Sequence, residues 1–356
     1  MHTRLRFLLL ALLALGGQAA ANTLTQNVSW TIDRPGTTTK YRVVAYGDSI
    51  YAGYNGSISS AAKYAAPTVD AEYLSAQWNA DIESVRRTKS GAVASDVYNN
   101  KIVAERSYMQ ASNTRVVTFE MCGNDGLQAR SSFKGQTGTC SDAVLTAAEN
   151  SCKTYVAAAM DYINANAYAG VKMKIISNLH YPGYAADNTQ SSCKDPNTGA
   201  TVNMQQKFLP SLARINHMMC DMARQKGFKC ADNFAQYMGA DYDSNGDGIV
   251  DSEALRYVDG ESQASYVNRI VSTLRSTIRD ANTHFVSAGS SYDYIQSDDT
   301  HPTYSGSTVT AGLFGGTTGT GAPRYTTFNN GKNPIWNQFG HERMGWAISV
   351  YNSPTP

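Results

Sequence analysis

The sequence predicts a three-layer α/β/α sandwich built around a central parallel sheet, and three observations carry that expectation. Short apolar runs rich in β-branched and aromatic residues recur along the chain, among them Tyr41-Arg-Val-Val-Ala45, Ile82-Glu-Ser-Val85 and Arg115-Val-Val-Thr-Phe119. Longer segments with apolar residues at helical spacing alternate with them, which is the pattern of a parallel sheet covered by helices on both faces. Chemistry-bearing residues stand just past the ends of the runs, where open parallel sheets gather their sites.

Taken in order, the runs at 41–46, 82–86, 115–121, 171–179 and 229–234 have strand length, and 292–296 is strand-like. Segments 68–79, 143–166, 203–226 and 262–284 have helical length and spacing, with Gly227 as the stop of the third. Residues 94–109 are helix or loop, and a last helix is expected near 335–350. Two polar, glycine-rich segments look like insertions. They are Gln128 to Cys140, and Tyr304 to Lys332 with glycines at 306, 312, 315, 316, 319 and 321. The second follows His301 and is expected to line a cleft, with a surface connection as the alternative.

The first residues have the form of a secretory signal: Arg4 and Arg6, an apolar run from Phe7 to Leu15, then the small residues up to Ala21. Residues 1–21 are therefore expected to be removed, leaving 22–356 as a single domain that is secreted to an extracellular or periplasmic space. The apolar run is far shorter than the about 20 residues that cross a bilayer, so no transmembrane anchor is expected. With 30 Lys+Arg against 29 Asp+Glu, the chain has no electrostatic case for nucleic acid as a partner.

Six cysteines in an exported chain suggest three disulfides. Helix and strand rise bring Cys220 and Cys230 to similar heights on either side of Gly227. Cys140 and Cys152 flank a short segment and form the second expected pair. Elimination leaves Cys122 with Cys193, with a buried free thiol as the alternative for Cys122.

Tyr46-Gly47-Asp48-Ser49-Ile50 follows the first strand, and Asp298-Asp299-Thr300-His301-Pro302 lies late in the chain. A serine hydroxyl becomes a useful nucleophile when an imidazole takes its proton and a carboxylate holds that imidazole. Ser49, His301 and Asp298 supply these three roles. Met121-Cys122-Gly123-Asn124-Asp125 follows a further strand and offers a side-chain amide for an oxyanion. The rival Gly-x-Ser-x-Gly elbow is absent, since Tyr51 stands where its second glycine would be.

The order Gly-Asp-Ser, a loop glycine at Ser90-Gly91, Gly-Asn-Asp and Asp-x-x-His resembles the SGNH (GDSL) hydrolase superfamily over most of the mature chain. The resemblance implies a flavodoxin-like sheet and a serine esterase or lipase that needs no cofactor for catalysis. It makes Ser49 the nucleophile, Asp298 and His301 its partners, and the Ser49 N–H, Gly91 N–H and Asn124 amide the oxyanion hole. It gives Asp48 and Asp125 structural hydrogen bonds. Cys122 departs from the family, which commonly has glycine two places before the asparagine. The expected substrates are small or medium acyl esters. A lipase or phospholipase, with a lipid as partner, and a polysaccharide O-deacetylase acting on an acylated glycan share the same triad.

The stretch from Asp241 to Glu253 has alternating oxygen ligands and a turn glycine suited to a structural Ca²⁺. Counted from Asp243, the ligands are Asp243, Asn245, Asp247, the Ile249 carbonyl and Asp251, with Asp241 and Glu253 as further candidates. The twelfth position is Ala254 from that start and Ser252 from Asp241, so the EF-hand pattern lacks its bidentate glutamate in both registers. A solvated acidic turn is the alternative. A calcium-dependent binding module on an inactive hydrolase fold is the rival function from another class. His180 and His341 are expected to be structural, and the tyrosines near Ser49 (Tyr46, Tyr51 and Tyr54) are a weak hint of carbohydrate stacking.

Overall fold

The computed structural model describes residues 25–56, 60–180, 190–202, 204–238, 255–276, 296, 298, 300–304, 308–310 and 340–356. Six strands form one sheet: β1 (Thr25–Ile32), β2 (Lys40–Gly47), β3 (Asp81–Lys89), β4 (Thr114–Phe119), β5 (Met173–Ser177) and β6 (Lys229–Ala231). Their order is β1-β3-β2-β4-β5-β6, with β1 antiparallel to β3 and every other neighbour parallel. This is the α/β sandwich with a mostly parallel central sheet that the alternation predicts.

The longer helices among the described residues are α1 (Ala66–Trp78), α2 (Gly123–Lys134), α3 (Ala143–Asn166), α4 (Met204–Lys226), α5 (Gln263–Ser276) and α6 (Gly340–Ser349). Side chains alternate across a strand, so each strand supplies both cores. Val44, Tyr46, Val117, Phe119 and Ile176 pack with α2, α3, α4 and α5 on one face. Val43, Ala45, Val116 and Ile175 pack with α1 and α6 on the other. Among the described residues no helix is long and apolar enough to cross a membrane.

Several local expectations are corrected. Strand β1 had no place in the sequence reading; it is an antiparallel edge strand whose Val28, Trp30 and Ile32 are buried. The supposed insertion 128–140 is helical up to Lys134, because Ala129 and Phe133 enter the core and the helix packs on α3. Strand β6 stops at Ala231, since the Asp232 carboxylate accepts the Ala235 N–H at 3.1 Å and starts a short helix, Asn233–Met238. Residues 94–109 agree with the expectation of helix or loop: they are short helical turns, including a π-helical stretch Val97–Val103. The signal segment, nearly all of the 304–332 stretch and all but Gln296 of the strand-like 292–296 lie outside the described residues.

Two of the three disulfide pairings are also corrected. The bonds are Cys122–Cys152, Cys140–Cys193 and Cys220–Cys230. Cys152 lies nine residues into α3, about 13 Å along its axis, beyond reach of Cys140 before the helix. Instead α3 lies against α2 and brings Cys152 to Cys122. Cys140 follows the two-residue strand Gly138–Thr139, which pairs with Gln190–Lys194 and so meets Cys193. Sequence adjacency misled here because packing between elements selects disulfide partners.

Candidate active site

The chain leaves β2 towards β3 on one side and later returns to β4 on the other, so the carboxyl end of β2 lies at a switch point of the sheet. Ser49 emerges there. Gly47 is in register with Thr88 and Tyr46 with Phe119, so the segments after β2, β3 and β4 leave the sheet side by side. These segments carry Ser49, Gly91 and Asn124.

Asp48 caps the single helical turn Ser49–Ala52 by accepting the Ile50 N–H at 2.8 Å, and Gly53 closes it at φ +73°, a left-handed conformation that favours glycine. Ser49 is 7% exposed, and its Oγ lies 2.8 Å from His301 Nε2. His301 Nδ1 lies 2.6 Å from Asp298 Oδ2. Burial alone would raise the Asp298 carboxyl, but hydrogen bonds from the His301 ring and backbone, with the ring's charge, hold it down at about 2. An ionised Asp298 only accepts, so the proton sits on Nδ1 and Nε2 is left to take the one on Ser49.

The His301 loop is fixed from four directions. Asp298 Oδ1 accepts the N–H groups of Thr300 at 3.1 Å and His301 at 3.0 Å. The Tyr54 ring lies against the imidazole with centroids 4.2 Å apart. Gln296 donates its backbone N–H to the His301 carbonyl and its amide to the carbonyls of Tyr54 and Pro302. His180 Nε2 donates to the Thr300 carbonyl at 2.9 Å, and burial pushes this imidazole down to about 4, so it is neutral. Sequence reasoning set His180 aside and did not find Gln296. Its only signal was distance from His301 in sequence, five residues, which carries no chemistry.

Asn124 sits in the first turn of α2. Its amide donates to Asp48 Oδ2 at 2.9 Å and to the Ala92 carbonyl at 3.0 Å. An oxyanion bound there would share these donors. The Ser49 and Gly91 N–H groups make no hydrogen bond among the described residues, and Gly91 has φ +76°, which turns the backbone as few other residues can. Cys122 also has positive φ, +84°, and is tied to α3 through Cys152. Asp125 accepts from the Ala94 N–H at 2.7 Å and Ser151 at 3.2 Å, linking α2 to its neighbours. His341 is fully buried on α6, and its Nδ1 accepts the Ala66 N–H.

A cleft opens beside Ser49. Ile50, Leu127, Leu179, Phe208, Leu212 and Met344 form an apolar part of its wall, beside polar groups that include Asp48, Glu120, Asn178 and His180. The calcium candidates Asp241, Asp243, Asn245, Asp247, Ile249, Asp251 and Glu253 lie outside the described residues. Among the described residues no group of three or more His, Cys, Asp or Glu side chains is placed to hold a metal ion.

No family model matches the sequence, and no curated protein matches it. Among solved structures, the chain is similar to a lipase from a goat rumen metagenome, at 16% identity and a TM-score of 0.42, over 67% of this chain and 96% of the lipase. An extracellular lipase from Streptomyces rimosus matches at 19% identity and a TM-score of 0.39, over 59% and 87%. A variant of an acetyl xylan esterase from Geobacillus stearothermophilus matches at 12% identity and a TM-score of 0.36, over 56% and 79%. At such identities the chemistry has to be read from the residues themselves.

Proposed function

We propose that the protein is a secreted serine carboxylester hydrolase of the SGNH type that works through an acyl-enzyme. The observation that carries this reading is the unbroken chain of contacts from Asp298 through His301 to Ser49 beside an apolar cleft. His301 Nε2 takes the Ser49 proton as Oγ attacks the ester carbonyl, and the tetrahedral oxyanion rests on the Ser49 and Gly91 N–H groups and the Asn124 amide. The imidazolium returns its proton to the leaving alcohol; water, activated by the same imidazole, then releases the acid. Three disulfides and the signal-like N-terminus support export.

The apolar side chains beside Ser49 support small or medium acyl esters as substrates. A panel of p-nitrophenyl esters from acetyl to palmitoyl, with phospholipid and acetylated glycan, tests this. The short- and medium-chain esters are expected to give the highest kcat/KM, and a preference for the palmitoyl ester, phospholipid or acetylated glycan would overturn the assignment. A serine-directed phosphonate is expected to label Ser49, whereas an inactive binding module would stay unlabelled.

Asn124→Ala is expected to lower kcat by roughly 10² to 10³ with little change in KM, because an oxyanion donor acts mainly in the transition state. Steady-state kinetics checks this, and an effect confined to KM would place Asn124 in substrate binding.

The 241–253 stretch is proposed to bind a structural Ca²⁺ that takes no part in the chemistry. Its carboxylates repel one another without a cation, so binding stabilises the fold by mass action, about 2.7 kcal/mol at a hundredfold excess over Kd. Chelation is expected to lower Tm, and Asp243→Ala with Asp247→Ala is expected to abolish that sensitivity. Identical melting curves with calcium and chelator would leave the loop a solvated turn.

A further inference from the structure

The turn that carries Ser49 rests on a carboxyl group that the relay does not use. Glu120, the first residue past β4, is 2% exposed, and Asp48 beside it is 1% exposed. Glu120 Oε1 accepts the Asp48 N–H at 2.7 Å and the Tyr51 N–H at 3.4 Å, so it grips the start of the nucleophile turn from beneath. The Asp48 N–H bond to Glu120 Oε1 makes the two buried acidic side chains neighbours. Gly47 makes the room: a Cβ there would lie 2.5 Å from Glu120 Oε1. Asp48 passes the constraint on, since its Oδ1 holds the Ile50 N–H and its Oδ2 holds the Asn124 amide. One line of contacts from Glu120 therefore reaches both the nucleophile turn and the oxyanion amide.

Among the described residues no lysine or arginine is bonded to either acid. Two neighbouring carboxylates out of water do not both ionise, and one shared proton removes the repulsion. Asp48 receives N–H donors on both oxygens, which suits the charged form, so the proton belongs to Glu120. Burial first, then the neighbouring Asp48 charge, push the Glu120 carboxyl well above the ordinary glutamate range. Among the described residues, the other ionisable groups near the pair are Tyr51 on the same turn, Asp125 on α2, and His301 and His180 across the cleft.

We propose that Glu120 is a positioning residue for acyl transfer, a neutral carboxylic acid that donates to Asp48 and so holds the Ser49 turn and the Asn124 amide in place. The proposal rests on the reading of Ser49 as the nucleophile. Glutamine reproduces both the acceptor and the donor of a protonated glutamate and cannot ionise. In the wild type the folded state binds one more proton than the unfolded chain above the ordinary glutamate range, so its stability falls as pH rises; Glu120→Gln lacks that loss.

The test compares wild type, Glu120→Gln and Glu120→Leu by steady-state kinetics and by Tm between about pH 6 and 9. Glu120→Gln is expected to keep most of the turnover, with its Tm gaining on the wild type as pH rises. Glu120→Leu is expected to lose about 10²-fold in kcat with KM little changed, the scale of a misplaced reacting group. A Tm difference between wild type and Glu120→Gln that does not vary with pH would overturn the proposal. So would a turnover loss in Glu120→Gln as large as in Glu120→Leu, or full turnover in Glu120→Leu. If Glu120→Leu does not fold, the pH trend of the Glu120→Gln difference decides. That trend is independent of Ser49, whose own role fails separately if Ser49→Ala stays active.

Discussion

Ser49→Ala is expected to abolish ester hydrolysis, with a fall in kcat on the order of 10⁵ to 10⁶, while the protein still folds. On the proposed reading the Oγ attacks the carbonyl and passes its proton to His301 Nε2, 2.8 Å away. Its removal takes away one hydrogen bond and little packing, so Tm and the circular dichroism spectrum are expected to change little. His301→Ala is expected to fall as far, because a nucleophile without its base and a base without its nucleophile are equally idle. Burst kinetics and phosphonate labelling on the same preparations check the assignment, and near-wild-type turnover in Ser49→Ala would remove the nucleophile from Ser49.

Asp298→Asn is expected to reduce kcat by about 10⁴, as in the general triad template. The local geometry gives the reason. Asp298 Oδ1 already accepts two backbone N–H groups, from Thr300 and His301, and Oδ2 faces the ring. An asparagine keeps the backbone bonds only by placing its carbonyl on them, which turns its NH₂ towards His301 Nδ1. Nδ1 must then accept, the ring proton moves to Nε2, and His301 can no longer take the proton of Ser49. The loop is expected to stay in place, held by Gln296, Tyr54 and His180, so the loss falls on kcat rather than on folding. A loss below about tenfold would mean that Asp298 does not set the tautomer.

The parts of the fold that were legible in sequence are those whose signal is local. Helix α3 was placed at its observed bounds because Leu145, Cys152, Val156, Ala159, Met160 and Ile163 recur on one face and enter the core. Strands β2 and β4 were legible for the same reason, each being short, β-branched and buried on both faces. Helix α2 was not, because its few apolar residues do not mark a helix until α3 and the Cys122–Cys152 bond hold it. Strand β1 escaped because an edge strand has one neighbour and needs only weak patterning.

By itself the sequence determined the alternation that makes a parallel sheet, the order of the Gly-Asp-Ser, Gly-Asn-Asp and Asp-x-x-His segments, and the candidacy of Ser49, Asp298 and His301. Those follow from residue type and from periods of two and 3.6, which neighbours along the chain impose on each other. Tertiary structure alone decided the partners of Cys122 and Cys140, where the Asn124 amide points, and that Glu120 lies against Asp48 beneath Ser49. These contacts join residues 30 to 76 positions apart. Their selection depends on how the helices pack and how the strands register, and no local pattern along the chain encodes either.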